Sequence, residues 1–171
     1  MSSPLPAHGV LIQLENTGIY LIGKSGVGKS ETALQLIPQG AKLICDDAPE
    51  LTPGSDDKQL LGICPKGFYG LMHLRDLGII NIIELFGKQA FNKSHAIDFV
   101  IELIDTDTIE ADSPELQATL LEPEYQQWHY QTWTIPGISL HLYENRNIAL
   151  LIKTAVLQFN KNNKKPRETE Q

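Results

Sequence analysis

Residues 23–30 read Gly-Lys-Ser-Gly-Val-Gly-Lys-Ser, which matches the phosphate-loop pattern G-x-x-x-x-G-K-S. Glycine permits backbone conformations that a side chain forbids, so successive N–H groups can point at phosphate oxygens. Lys29 can reach the β- and γ-phosphates of a nucleotide, and the Ser30 hydroxyl can hold Mg²⁺. The residues expected to contact the nucleotide are Gly23, Lys24, Ser25, Gly26, Val27, Gly28, Lys29, Ser30 and Glu31.

Asp46 and Asp47 form a second group with chemical potential, directly after the apolar run Lys42–Cys45. In phosphate-loop enzymes a carboxylate at the end of a neighbouring strand holds the metal, and another can accept a proton from the attacking hydroxyl. Two adjacent aspartates could divide these roles. Taken alone, such a pair before Ala48 and Pro49 is more typical of a turn, but its position after the phosphate-loop helix favours the chemical interpretation.

The elements around these residues come in the order strand, loop, helix. Gly18–Ile22 is predicted to be a buried strand, Glu31–Ile37 a helix that Pro38 ends, and Ile148–Phe159 a second helix with one apolar face. Since few helices separate the strands, we expect an α/β fold with a mixed sheet around one strand–loop–helix unit and a C-terminal helix. The other predicted strands are Gly9–Leu14, Lys42–Cys45, Gly78–Glu84, Ile97–Ile104 and Ile138–Tyr143.

The composition indicates one soluble domain of 171 residues, in which no apolar run approaches the roughly 20 residues that cross a bilayer. The net charge of −7 argues against nucleic acid as the main partner. We see no secretion signal, and Cys45 and Cys64 lack metal-ligand spacing. A cytoplasmic protein with reduced structural thiols is therefore expected, a disulfide being the less favoured alternative. Residues 1–160 are expected to form the domain and residues 161–171 a disordered polar tail.

Several runs of the chain resemble the catalytic domain of HPr kinase/phosphorylase. They are His8–Ile12, Gly18–Leu34 and Leu43–Asp47. Downstream, Leu74–Asn81 resembles the Arg-Gly-x-Gly-Ile-Ile-Asn signature of that family, and Leu85–Gly87 follows at the expected distance. Asn145–Ala149 resembles the Gly-Arg-Asn entrance to the family's C-terminal helix. The resemblance covers most of residues 7–160.

The resemblance implies an enzyme that transfers phosphate from ATP, or from pyrophosphate, to a serine of the small phosphocarrier protein HPr and reverses this by phosphorolysis. It implies ATP and Mg²⁺ as cofactors, HPr or another small acceptor protein as partner, and a homo-hexamer. Lys29 and Ser30 would bind phosphate and metal, and Asp47 would be the general base that becomes the acid in reverse. His8 would support Asp47, and Asp46 would assist at the metal. The chain resembles short forms without the family's separate N-terminal domain.

Two positions depart from the family's pattern. Where the signature has a metal-binding glutamate, this chain has His73, and imidazole is a poor ligand for Mg²⁺. The loop that brings an active-site arginine has Asn92 in its place, with Lys88 or Lys93 as candidate substitutes. We therefore expect a serine kinase with weak or absent reverse activity. The alternatives are a non-catalytic nucleotide-binding switch and a kinase of a small-molecule hydroxyl on the same core.

Overall fold

The computed structural model describes residues 2–106 and 113–163. Within these ranges the strands are β1 (Ser2–Pro4), β2 (Val10–Leu14), β3 (Thr17–Gly23), β4 (Lys42–Cys45), β5 (Glu50–Pro53), β6 (Leu60–Ile63), β7 (Leu71–Leu74), β8 (Gly78–Asn81), β9 (Ser94–Ala96), β10 (Phe99–Asp105), β11 (Glu124–Tyr130) and β12 (Trp133–Leu142). The α-helices are α1 (Lys29–Leu36), α2 (Ile82–Phe86), α3 (Pro114–Leu121) and α4 (Ile148–Asn163). Short 3₁₀ turns cover Ile37–Gln39 and Lys88–Ala90. In the described part of the chain, none of the helices combines the length and the apolarity that a membrane span requires.

A seven-stranded mixed sheet forms the centre of the fold, in the order β1-β11-β12-β10-β3-β2-β4. Strand β10 runs parallel to both β3 and β12, whereas β2 is antiparallel to β3 and β4. The strand–loop–helix unit is β3, residues 24–28 and α1. The predicted α/β fold with a mixed sheet and a C-terminal helix is confirmed.

The central sheet separates two apolar cores because successive side chains of a strand point to opposite faces. On one face, Ile19 and Leu21 of β3 pack in a buried cluster with residues of α1 and α4. On the other face, Tyr20 and Ile22 pack in a second cluster with residues of β6. The strands β5, β6 and β9 form a small sheet there, and β7 and β8 form a separate hairpin that contacts α1.

Several of the predicted elements have bounds that differ from those in the structure. The strand predicted over Gly78–Glu84 ends at Asn81, whose side-chain oxygen accepts from the Ile83 and Glu84 N–H groups and so caps α2. The strand predicted from Ile97 begins at Phe99. Helix α4 continues to Asn163, three residues into the segment expected to be a disordered tail, and residues 164–171 lie outside the described part of the chain.

Helix α3 and strand β11 were not predicted from the sequence. Strand β11 has the sequence EYQQWHY, and only Trp128 of its residues is buried. Apolar and polar residues alternate only weakly in β11, so hydrophobic periodicity does not indicate a strand there. Its partner β12 begins at Trp133, five residues before the predicted start at Ile138.

Candidate active site

The loop after β3 is a tight turn that leads into α1. Gly23, Gly26 and Gly28 have φ values of 146°, 81° and 104°, in the left-handed region that favours glycine. Gly28 is the N-cap of α1, and the Thr32 N–H donates to its carbonyl at 2.9 Å. A run of this kind can turn backbone N–H groups toward one side, as anion binding requires.

Lys29 folds back over this loop from the first turn of α1. Its Nζ donates to the carbonyl oxygens of Gly23 and Lys24, both at 3.0 Å. The ammonium group therefore lies beside the positive end of the helix dipole, and both favour an anion. Val27 is partly buried and packs against the core cluster that includes residues of α1 and α4.

A cavity of about 360 Å³ opens between the loop, the end of β4 and the hairpin β7–β8. Eight residues predicted for the site line this cavity: Ser25, Gly26, Gly28, Lys29, Ser30, Glu31, Asp46 and Asp47. The other lining residues are Val10, His73 and Arg75. Four predicted residues are not part of the lining: His8, Gly23, Lys24 and Val27. The structure thus brings the phosphate loop and the aspartate pair together around one space.

Asp46 connects α1 to strand β7. Its Oδ1 accepts a hydrogen bond of 2.7 Å from the Ser30 hydroxyl, and its Oδ2 accepts one of 2.9 Å from the His73 backbone N–H. Both carboxylate oxygens are thereby fixed in direction. His73 contributes its main-chain N–H to this arrangement. A residue with a different side chain at position 73 would supply the same N–H.

Asp47 lies beside His8, and both side chains are about three-quarters exposed, at 74% and 75%. The distance from His8 Nδ1 to Asp47 Oδ1 is 3.4 Å. The Gly9 N–H donates to the Asp47 carbonyl, and Asp47 itself has a φ of 76°. The turn that follows β4 therefore holds Asp47 next to Gly9, which directly precedes β2. The Asp47 carboxylate faces solvent at the edge of the cavity.

Arg75 is a site residue whose role the sequence did not indicate. It follows β7 in the signature run, and its guanidinium lies against the phosphate loop, since a Cβ built on Gly26 would collide with Arg75 Nη2. A guanidinium offers a planar fork of donors that matches phosphate oxygens. The sequence contains Arg75 within the motif, but its contact with Gly26 joins residues 49 positions apart, which spacing alone does not reveal.

The segment 87–93 does not reach this cavity. The Asn92 side chain donates to Gln13 Oε1 at 3.3 Å, and its N–H donates to the Leu43 carbonyl at 3.0 Å. Lys93 lies over the Tyr69 ring, with Nζ 5.5 Å from the ring centroid. Lys88 is also absent from the cavity lining. The guanidinium beside the phosphate loop is therefore that of Arg75, and the candidate substitutes Lys88 and Lys93 lie elsewhere.

A second, more apolar cavity of about 440 Å³ adjoins the first and shares Asp46, Asp47 and His73 with it. Its other lining residues are Cys45, Ala48, Pro65, Phe68, Leu71, Met72 and Ile79. Phe68 and Ile79 are 62% and 71% exposed. The aspartate pair thus separates a polar space at the phosphate loop from an open apolar groove.

Buried titratable groups lie beneath the aspartate pair. Burial raises the pKa of Tyr20, whose hydroxyl donates to the Pro6 carbonyl at 3.0 Å. The neighbouring Cys64 thiol and burial raise the pKa of Cys45, whose Sγ donates to the Asp46 carbonyl at 3.5 Å. The neighbouring Cys45 thiol lowers the pKa of Cys64. Both cysteines are free, as the sequence predicted.

The oxygen atoms that could hold a metal ion are Ser30 Oγ and the carboxylate of Asp46, which already approach each other within 2.7 Å. Mg²⁺ prefers oxygen ligands and is commonly bound by one or two protein groups together with substrate phosphates and water. This donor set fits such an ion. In residues 2–106 and 113–163 no cluster of three or more His, Cys, Asp or Glu side chains is placed to hold a metal by itself.

Comparison with known proteins places these features in a family. The family described as the HPr Serine kinase C-terminal domain matches residues 1–171. The HPr kinase/phosphorylase of Geobacillus thermodenitrificans is 36% identical over 152 residues, which are 89% of this chain and 47% of that protein. The HPr kinase/phosphorylase of Limosilactobacillus reuteri is 34% identical over 152 residues, 89% of this chain and 45% of that protein. This chain therefore spans about half the length of these relatives.

A solved structure shares the fold. The Hpr(Ser) kinase/phosphatase from Coxiella burnetii superposes with a TM-score of 0.78 at 29% sequence identity, covering 91% of this chain and 90% of that chain. Because the family match extends over the whole chain and the fold agrees over nine-tenths of it, this chain belongs to the family of the HPr serine kinase C-terminal domain.

Proposed function

We propose that this chain is an ATP-dependent protein-serine kinase that phosphorylates HPr or a similar small acceptor protein. The observation that carries the proposal is the placement of Asp47 on the same cavity as Lys29 and Ser30. A general base has to reach the hydroxyl proton that it accepts, next to the phosphoryl group that is transferred, and Asp47 shares one space with the residues proposed to bind that phosphate.

In the proposed reaction the serine oxygen of the acceptor attacks the γ-phosphorus of ATP. The bond between this phosphorus and the bridging oxygen breaks, ADP leaves, and the serine proton passes to the Asp47 carboxylate. Lys29 and Arg75 offset the charge on the phosphate oxygens, because a preformed set of donors lowers the barrier without reorganising during the reaction. His8, 3.4 Å from Asp47, orients the carboxylate.

Ser30 and Asp46 would hold Mg²⁺ bound to the nucleotide. When bound, this ion neutralises phosphate charge. The hydrogen bond from the His73 N–H fixes the orientation of the Asp46 carboxylate, which therefore stays in position to bind the ion. With His73 at the position of the family's glutamate, the reverse reaction, which has to orient a free inorganic phosphate, is proposed to be weak.

The exposure of Asp47 favours a protein as acceptor over a small molecule. A pocket for a small molecule is concave and buries most of its ligand. The Asp47 side chain is 74% exposed, so a serine on a protruding surface of another protein has access to it. We also propose a cytoplasmic location. In line with the family resemblance we propose a homo-hexamer, and light scattering of the purified chain tests this oligomeric state.

The direct test is incubation of the purified chain with MgATP and HPr, followed by detection of phosphoserine. We expect transfer by the wild-type chain, none by Lys29→Ala, and a loss of about 10²–10⁴-fold in Asp47→Asn, which lacks the base. Nucleotide binding should persist in Asp47→Asn, as measured by calorimetry. If the wild-type chain binds MgATP but leaves HPr unmodified while a full-length relative modifies it, HPr is not the acceptor.

A non-catalytic nucleotide switch is the second candidate, and His73 in the metal-binding position of the signature favours it. A switch needs nucleotide binding but no proton transfer. Under that proposal Lys29→Ala abolishes the biological role and Asp47→Asn leaves it intact. Comparison of the two variants in the source organism separates the candidates, because a kinase loses its role in both.

A further inference from the structure

We propose that Tyr20 is a positioning residue, whose buried hydroxyl holds the connecting segment, residues 5–9, in place and so keeps His8 beside Asp47. The connecting segment joins β1 to β2 and carries His8. The proposal deepens the proposed function and rests on it, because His8 and Asp47 act together in the proposed transfer. It assigns to that reaction a residue outside the phosphate loop and outside the lining of the cavity.

Tyr20 lies near the middle of β3, inside the seven-stranded sheet. It pairs with Leu11 of β2 and with Val100 of β10, and its side chain is completely buried in the second apolar cluster. A polar group in such surroundings costs free energy unless it is hydrogen-bonded, so a buried tyrosine needs a partner for its O–H. The Tyr20 hydroxyl finds that partner in the Pro6 carbonyl, to which it donates at 3.0 Å.

The connecting segment has no helix or strand of its own, so its position depends on isolated hydrogen bonds. At its start the Leu5 N–H donates to a carbonyl of β11 at 2.8 Å, and at its end the Gly9 N–H donates to the turn after β4. Between these two bonds Pro6 lacks an N–H to donate, and its carbonyl accepts from Tyr20. The Tyr20 hydroxyl therefore holds the connecting segment two residues before His8.

The Tyr20 ring also supports the connecting segment at Gly9. A Cβ built on Gly9 would lie 2.7 Å from both Cε2 and Cζ of the ring, and Cζ is the atom that carries the hydroxyl. The hydroxyl end of Tyr20 thus lies against both Pro6 and Gly9, the residues that flank Ala7 and His8. One buried side chain therefore holds both ends of the stretch that carries His8.

Packing does not fix the side chains of His8 and Asp47 by itself. They are 75% and 74% exposed, and 3.4 Å separate His8 Nδ1 from Asp47 Oδ1. The position of the imidazole therefore depends on the main chain of the connecting segment. Without the Tyr20 hydroxyl, the Pro6 carbonyl loses its donor and the segment is held less tightly. A neutral hydrogen bond changes an equilibrium about 2–10-fold, so the population with His8 beside Asp47 should fall by such a factor.

The first measurement uses Tyr20→Phe, which removes the hydroxyl and keeps the ring. We expect kcat to fall about 3–10-fold and the affinity for MgATP to stay within about 2-fold, because Tyr20 does not line the phosphate cavity. Hydrogen exchange of the Gly9 amide should accelerate, since the connecting segment is held less tightly. An unchanged kcat or an unchanged Gly9 amide would overturn the proposal. An equal loss of MgATP affinity would also overturn it, because Tyr20 would then act on the phosphate loop.

Tyr69→Phe is the matched control. It removes a hydroxyl from a tyrosine that packs against the same apolar cluster, where its ring lies 5.4 Å from that of Phe91, centroid to centroid. We expect this variant to keep the kcat, the MgATP affinity and the Gly9 exchange of the wild type. A loss of kcat equal to that of Tyr20→Phe would contradict a specific role for the Tyr20 hydroxyl.

The second measurement asks whether Tyr20 acts through His8. In the double variant, Tyr20→Phe should add less than about 2-fold to the effect of His8→Ala, because no imidazole remains to be positioned. Effects that multiply would contradict action through His8. The NMR resonance of the His8 ring, assigned by its loss in His8→Ala, should shift in Tyr20→Phe but not in Tyr69→Phe, and an unmoved resonance contradicts the proposal. A wild type without transfer contradicts the proposed function, whereas the Gly9 exchange and the His8 resonance still decide whether Tyr20 positions the connecting segment.

Discussion

The Ser30 hydroxyl donates a 2.7 Å hydrogen bond to Oδ1 of Asp46, which links the first turn of α1 to the end of β4. The bond places the metal-binding candidates of two separate sequence motifs in contact. Because the other oxygen of Asp46 accepts from the His73 N–H, neither group depends on a bound ion for its position.

Asp46→Asn should weaken the binding of MgATP at least about 10-fold, since loss of an ordered group at a metal site typically costs 10–100-fold in affinity. The amide nitrogen of the new side chain would also face either the Ser30 hydroxyl or the His73 N–H, both of which donate to Asp46 in the wild type. Binding of ATP in the presence of a chelator should change far less. Calorimetry with and without Mg²⁺ measures the difference, and Asp56→Asn, at an exposed loop, is the control. Equal weakening under both conditions would show that Asp46 acts without the metal.

His8→Ala should lower kcat about 10-fold while leaving the affinity for MgATP unchanged, because His8 contacts Asp47 and does not line the phosphate cavity. His8→Gln, which keeps a donor, should recover part of the loss. A change in KM alone would assign His8 to binding instead.

Arg75→Ala should reduce phosphotransfer about 10²–10³-fold, the usual effect of removing a preformed donor to developing charge. Arg75→Lys restores the charge but not the planar fork, so only part of the rate should return. Gly26→Ala, whose Cβ would collide with Arg75 Nη2, should reproduce the defect by displacing the guanidinium and straining a residue with a φ of 81°. Full activity in Arg75→Ala would remove this side chain from the mechanism.

Gly9→Ala should destabilise the chain by about 1–3 kcal/mol, the typical cost of forcing an extra carbon into packed surroundings. The new Cβ would lie 2.7 Å from the Leu21 carbonyl oxygen and 2.7 Å from the Tyr20 ring. Since the Gly9 N–H holds the Asp47 carbonyl, transfer should fall as well. Urea unfolding and the transfer assay measure the two effects. Wild-type behaviour in both would mean that the turn before β2 shifts without cost.

Asp98 should make stability depend on pH. Burial raises the pKa of Asp98 above its ordinary value of 3.8, although the Gly18 N–H donates to its Oδ2 at 2.7 Å. The folded chain therefore holds this proton more tightly than the unfolded chain, and the associated stability, present below pH 3.8, is lost as the pH rises through the folded pKa. The difference in melting temperature between the wild type and Asp98→Asn should fall as the pH rises from 3.8 through the folded pKa of Asp98, and it should stay constant at higher pH. A difference that rises with pH would contradict the direction.

The phosphate loop and its flanking elements could be predicted because their signals are local. Glycines, lysine and serine at fixed spacing, together with an apolar strand before them, specify β3, the loop and α1 without reference to the remainder of the chain. The aspartate pair was predicted for the same reason, since it follows β4 directly. The mixed sheet followed from the number of strands relative to helices.

Contacts between distant parts of the chain could not be predicted in this way. The approach of Arg75 to Gly26 and the hydrogen bond from the His73 N–H to Asp46 depend on how the hairpin β7–β8 packs. The end of the strand predicted over Gly78–Glu84 was misplaced because Asn81 uses its side chain to start a helix, which outweighs the apolar run that follows.

Strand β4 lies at the margin of the seven-stranded sheet, whereas β3 has neighbours on both sides. The phosphate loop therefore follows a strand with two hydrogen-bonded neighbours, whereas the proposed base follows an edge strand, and we expect the edge to open at a lower free energy than the centre of the sheet. Mild heating or dilute denaturant should therefore abolish phosphotransfer before nucleotide binding is lost.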